Sequence, residues 1–213
     1  MIKISKSKES DILSLLKNKK FKKLKKIIDS LSDDEKETPF ILNVIGILKV
    51  SKEVFFTNDA KEALMFFEKA YKKDKSFHDS LYNYASISLK THIIANVLHY
   101  LKDHLKREKN DLSALTLLGS VYYQLGKIED SINCFKKTVD KKETRKFQWQ
   151  NLLGISNYST SLTHKSYMEL GNKYSNSIKK FDEKELESFK YSENKEKIRI
   201  GFFSTNLKKH SVA

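Results

Sequence analysis

The segment DLSALTLLGSVYYQLGKIEDSINCFKKTVD, residues 111–140, falls into two helical halves. Leu115, Leu118 and Tyr122 share one face of the first half; Ile128, Ile132, Phe135 and Val139 share one face of the second, and Gly126 marks the break. Two amphipathic helices joined by so short a turn fold back on each other as a hairpin. Counted from Leu112 as position 1, Leu118 and Gly119 stand at positions 7 and 8, Tyr122 at 11, Ser131 at 20, Phe135 at 24 and Thr138 at 27. Thirty-four residues earlier, a unit starting at His78 has Leu81, Tyr84 and Ala85 at 4, 7 and 8 and Leu101 at 24. A unit starting at Pro39 has Ile45 and Gly46 at 7 and 8. Its Ala63, Phe67 and Ala70 reach 20, 24 and 27 once the turn VSKEVFFTND is lengthened by five residues. A degenerate unit from Ser5 contributes Leu15, Leu24, Ile28 and Leu31. A half-unit from Lys146 sets Trp149 at 4 and Leu152 at 7 before NYSTSLTHKSY leaves the pattern.

Large apolar residues at 4, 7, 11 and 24, with small ones at 8, 20 and 27, resemble the tetratricopeptide repeat, a 34-residue helical hairpin. Small residues let paired helices approach, and large neighbours fill the space. Glu143 departs from the family's proline at position 32. One proline and six glycines in 213 residues leave little to interrupt helices. The expected fold is therefore all-α. A repeat superhelix covers residues 5–156, a helical linker 157–192, and residues 193–213 open a truncated α/β domain with a single β-strand. Each hairpin buries its apolar face only against its neighbours, and the face lined by the first helices commonly holds extended peptides.

The ending KIRIGFFSTNLKKHSVA, residues 197–213, reads as a strand followed by a polar turn. With QNLLGISNY and the helix through Tyr167 and Leu170, it resembles the junction in O-GlcNAc transferases and SPINDLY-type relatives, where repeats run into a glycosyltransferase. That family's first catalytic strand typically reads LRIGYVSxDFxxHxV. Ile198, Arg199, Ile200, Gly201, Phe202, Ser204, Leu207, His210 and Val212 fit it, while Asn206 replaces the aspartate. The resemblance implies transfer of N-acetylglucosamine from a UDP donor to protein serine or threonine. His210 would be catalytic, with Ser204 and Asn206 at the substrate and Asn83 and Asn151, at position 6 of their units, gripping an acceptor peptide. Val44 and Leu117 at the same position do not match. Because the lobe stops at its first strand, the chain itself is expected to be an inactive fragment, binding acceptor protein on its repeats and UDP-sugar only in a full-length form. The alternative is a non-enzymatic scaffold for protein partners.

A formal charge of +14 invites a polyanion reading. Only Arg107, Arg145 and Arg199 among 41 basic residues carry the guanidinium fork that phosphate recognition favours, so the lysines read as a solvated surface and nucleic acid is not the expected partner. The basic helix KNKKFKKLKK with IIDSL could lie on an anionic membrane, but its apolar side is expected to pack on the next hairpin. A lone Cys134, no signal peptide and no long apolar run point to a cytoplasmic chain without a membrane span. His92, His99 and His104 lack the i, i+4 spacing of a helical metal site, so no metal is expected. Nor is a cofactor, there being no Walker loop, GxSxG or dinucleotide fingerprint.

Overall fold

The computed structural model describes residues 4–51, 57–94, 96–139 and 146–186, with side chains up to residue 177 except that of residue 146. The chain divides into two units, residues 1–174 and 175–213. The described part of the second is the end of the last helix. All regular structure among the described residues is helical: α1 (Lys6–Lys17), α2 (Phe21–Asp29), α3 (Asp33–Lys36), α4 (Pro39–Lys49), α5 (Thr57–Lys73), α6 (His78–Thr91), α7 (Val97–Arg107), α8 (Leu112–Gln124), α9 (Ile128–Val139), α10 (Lys146–Ser156) and α11 (His164–Leu186). The expected terminal strand falls outside the described residues.

The helices pair as the repeat register requires. In the first unit α1 meets α2, α4 meets α5, α6 meets α7 and α8 meets α9, while first helices also touch first helices, α4 on α6 and α6 on α8. The core is accordingly segmented along the stack. Ile12, Leu24, Ile28, Leu31, Ile41 and Val44 join the first two hairpins. Phe67, Tyr71, Leu81, Ala85, Leu101 and Leu118 belong to the middle cluster. Ile132, Phe135, Trp149, Leu152 and Ile155 close the far end, where Leu162, Leu170 and Tyr174 pack against them. The basic stretch around Phe21 thus spends its apolar side on the neighbouring hairpin, with Leu24 and Ile28 buried in α2.

Small and large residues interlock across each hairpin at positions 8 and 24. A Cβ added to Gly46 would stand 2.5 Å from the Phe67 ring, and one on Gly119 would stand 2.9 Å from Phe135. In the intervening hairpin the same two positions hold Ala85 and Leu101, both fully buried. A bulkier small residue is matched by a less bulky large one, which conserves the volume filled at the contact.

Two hairpin turns close in the same way. After α8, Lys127 N–H donates to the carbonyl of Tyr122 and Gly126 N–H to that of Tyr123, both at 2.9 Å, a Schellman closure with Gly126 at φ +70°. The same bonding recurs after α1, where Lys20 N–H donates to Leu15 and Lys19 N–H to Leu16, but with Lys19 at φ 52°. His92 holds the equivalent place after α6, at φ 58°. The left-handed conformation costs a side-chain-bearing residue about 1 kcal/mol or more. No atom lies within 4 Å of a Cβ at Gly126, so Gly126→Ala is expected to lose about 1 kcal/mol through backbone strain alone. Lys19→Gly is expected to gain about 0.5 kcal/mol, the strain relieved less the added freedom of the unfolded chain. Urea unfolding of the two variants checks the opposite signs.

Candidate functional site

Helix α8 stands between α6 and α10 in the order of first helices. Ser113, Thr116, Ser120 and Tyr123 recur at three- and four-residue intervals and so share one side of it. Two hollows open along this line. One, about 500 Å³, is lined by Tyr82 and Ser86 of α6, Ser113, Thr116 and Leu117 of α8, and Phe147 and Gln148 of α10. The other, about 300 Å³, lies between Ser120 and Tyr123 of α8, Phe135 of α9, and Gln150, Asn151 and Gly154 of α10, with Tyr158 beyond the helix end. The floor is small because Thr116 and Ser120 turn their hydroxyls back onto the Leu112 and Thr116 carbonyls, at 2.7 and 3.1 Å. Its rim is aromatic. Phe147, Tyr123 and Tyr158 are 44%, 45% and 61% exposed. The Tyr123 and Tyr158 rings sit 6.0 Å apart, and the hydrogen bond and charge of Tyr158 hold the Tyr123 phenol above its ordinary pKa.

Among the described residues none that lines either hollow is charged, although 32% of the chain is. Several lysines pair with carboxylates elsewhere: Lys8 with Glu35 at 2.8 Å, Lys69 and Lys73 with Glu37 at 2.6 and 2.8 Å, and Lys75 with Asp103 at 3.2 Å. The Lys69 and Lys73 hydrogen bonds hold the Glu37 carboxyl below its usual range.

Of the residues singled out from sequence, Asn151 is half-buried in the wall of the smaller hollow. Asn83 is half-buried on α6 and lines neither hollow; its amide nitrogen donates to Asn43 Oδ1 at 2.9 Å. The two are separated by α8 in the order of first helices. Asn43, which the sequence pattern does not single out, stands at position 5 of its unit, one place before the position of Asn83 and Asn151. Its signal was available as the one uncharged polar side chain in the apolar helix PFILNVIGILK. Val44 at position 6 is core and Leu117 lines the larger hollow. His210, Ser204 and Asn206 lie outside the described residues. Cys134 is buried in the middle cluster, and burial pushes its thiol up to about 11, far from a reactive thiolate.

A second constellation was not foreseen. Asp111 caps α8, accepting from Ala114 N–H at 2.9 Å through Oδ1. Its Oδ2 accepts from His104 Nε2 at 2.7 Å and from the Tyr82 hydroxyl. Burial opposes the Asp111 charge, but the Tyr82, Ala114 and His104 hydrogen bonds outweigh it and hold the carboxyl below its usual range. Burial and the hydrogen bond to Asp111 push the Tyr82 phenol up. His104 is fully buried, and the His78 ring meets it edge to face with centroids 4.5 Å apart. The i, i+4 search missed this set because its members come from three different helices.

The family described as "Anaphase-promoting complex, cyclosome, subunit 3" matches residues 57–138, which run from α5 through α9. No match is found among the curated proteins. Among solved structures, MamA from Desulfovibrio magneticus RS-1 superposes with a TM-score of 0.67 at 20% identity over 83% of this chain and 96% of that one. YrrB, described as a TPR protein with an unusual peptide-binding site, superposes with a TM-score of 0.60 at 16% identity over 82% and 85% of the two chains. Helical hairpins in a recurring register, the matched small and large residues between them and these likenesses together give the chain the tetratricopeptide-repeat fold.

Proposed function

We propose that the chain is a protein-interaction scaffold whose first-helix face takes an extended peptide across α6, α8 and α10. The observation that carries this is that the described residues lining both hollows are uncharged in a strongly basic chain. A polyanion site would gather lysines there. A lining of hydroxyls, amides and exposed aromatic rings instead suits an uncharged peptide stretch: the rings supply rigid apolar anchors and the amides hydrogen-bond the main chain. Asn151 and Gln150 are placed to contact peptide backbone, and Tyr123, Tyr158 and Phe147 to receive its apolar side chains. The peptide-binding description of YrrB supports the same use of the fold.

The finer reading, in which the repeats hand an acceptor to a glycosyltransferase lobe, has the resemblance of residues 197–213 as its support, with Asn151 as its contact on this face. The scaffold reading stands without it.

Peptides selected on the immobilised chain from a random displayed library test the proposal. Tyr123→Ala is expected to weaken the selected peptide by about 10-fold or more, since an aromatic anchor contributes about 1–2 kcal/mol or more. Affinity is expected to change little with salt. Nucleic acid that competes for the groove, with the steep salt dependence of phosphate neutralisation, would overturn it.

A further inference from the structure

We propose that His78, His104 and Asp111 form a binding site for a divalent transition-metal cation of the zinc class. One donor atom from each of the three lies within 4.8 Å of the other two. Zinc bonds of about 2.0–2.1 Å in tetrahedral geometry place donors about 3.3 Å apart. The widest separation therefore needs to close by about 1.5 Å or less, and the His104 to Asp111 contact of 2.7 Å to open by about half an ångström. Movements of this size are within the reach of side-chain rotation. The three residues sit at the ends of rigid elements: His78 opens α6, His104 is in the last turn of α7, and Asp111 is the N-cap of α8.

The donor set selects the ion. Two imidazoles and one carboxylate suit zinc, copper, nickel or cobalt, whereas magnesium and calcium call for oxygen throughout. Three protein ligands leave a fourth position for water, and half-buried His78 gives the site a route to solvent. His104 Nε2, which faces Asp111 Oδ2 at 2.7 Å, is the nitrogen that meets the ion, and full burial of the ring holds it there. The surroundings are those of a supported ligand, because Ala114 N–H and the Tyr82 hydroxyl fix the orientation of the Asp111 carboxylate.

The test uses the untagged full chain, stripped with chelator and titrated calorimetrically with zinc chloride, then loaded with Co²⁺ for its visible spectrum. The expected result is one equivalent of Zn²⁺ and the intense absorption of tetrahedral Co²⁺. His78→Ala, a half-buried position whose helical circular dichroism is expected to match the parent's, should weaken Zn²⁺ binding by about 100-fold or more. Tyr82→Phe, which keeps the ring and removes the support of Asp111, should weaken it by about 10-fold. Failure of the parent chain to take up one equivalent would overturn the proposal. So would His78→Ala binding Zn²⁺ as the parent does, since the cation would then sit on other histidines such as His92 or His99.

Discussion

Gly46→Ala is expected to destabilise the chain by about 1–2 kcal/mol, and to stabilise it by about 1 kcal/mol when Phe67 is already leucine. Two effects compete. Alanine in place of glycine inside α4 favours the helix by about 1 kcal/mol. Against this, the new methyl would stand 2.5, 2.8 and 2.9 Å from three atoms of a Phe67 ring that is 1% exposed. A buried ring held by Tyr71, Leu64 and Ala63 has little room to yield, and overpacking of this kind costs about 1–3 kcal/mol. In Phe67→Leu the obstructing ring is gone and the pair becomes Ala over Leu, the combination already present at Ala85 and Leu101. Only the helix-favouring effect then remains. Urea denaturation of the four chains in a double-mutant cycle measures the coupling, expected at about 2–3 kcal/mol. Equal effects of Gly46→Ala in both backgrounds would show that positions 8 and 24 do not set the helix spacing.

That contact explains why so much of the fold was legible. Gly46, Ala85 and Gly119 recur at one position and Phe67, Leu101 and Phe135 at another, and a register that repeats in sequence becomes a contact that repeats in space. Gly126 likewise announced its turn. Lys19 and His92 make the same left-handed turn without glycine, so nothing local marks them; the packing of the hairpin imposes a conformation the residue would not choose. The first hairpin was hardest to read because fully buried Ile12 occupies the usual small position 8, opposite Ile28 at position 24.

The site was legible only where function rides on the repeat. Asn151 could be found by counting. The face it belongs to could not, because the groove is defined by the uncharged character of its described lining and by hydroxyls that look like ordinary helix surface until Thr116 and Ser120 are seen bonded to their own helix. Asn83 counts as Asn151 does, yet its amide nitrogen is engaged by Asn43 from the neighbouring first helix. A residue's position in the unit does not report what the next unit offers it. The His104 set shows the same limit more strongly, since His78, His104 and Asp111 come from three helices and meet only when α6, α7 and α8 are stacked.

Asp111→Ala is expected to be the costlier substitution, at about 3 kcal/mol in metal-free chain. Loss of the α8 cap accounts for about 1 kcal/mol. The remainder comes from stranding buried His104 Nε2 and the Tyr82 hydroxyl together, at about 1–3 kcal/mol for buried polar groups left unserved. Ser5→Ala provides the internal comparison, because Ser5 caps α1 through Lys8 N–H at 3.3 Å and touches no buried network; it should cost about 1 kcal/mol. Asp111→Asn should fall between, as asparagine caps equally well and can accept one of the two donors. Adding His104→Leu to Asp111→Ala should recover about 1–2 kcal/mol, since removing both partners of a buried bond is far less harmful than removing one. If Asp111→Ala costs no more than Ser5→Ala in chelator-treated protein, the carboxylate is only a helix cap. The junction of α6, α7 and α8 is then held by apolar packing and not by this polar knot.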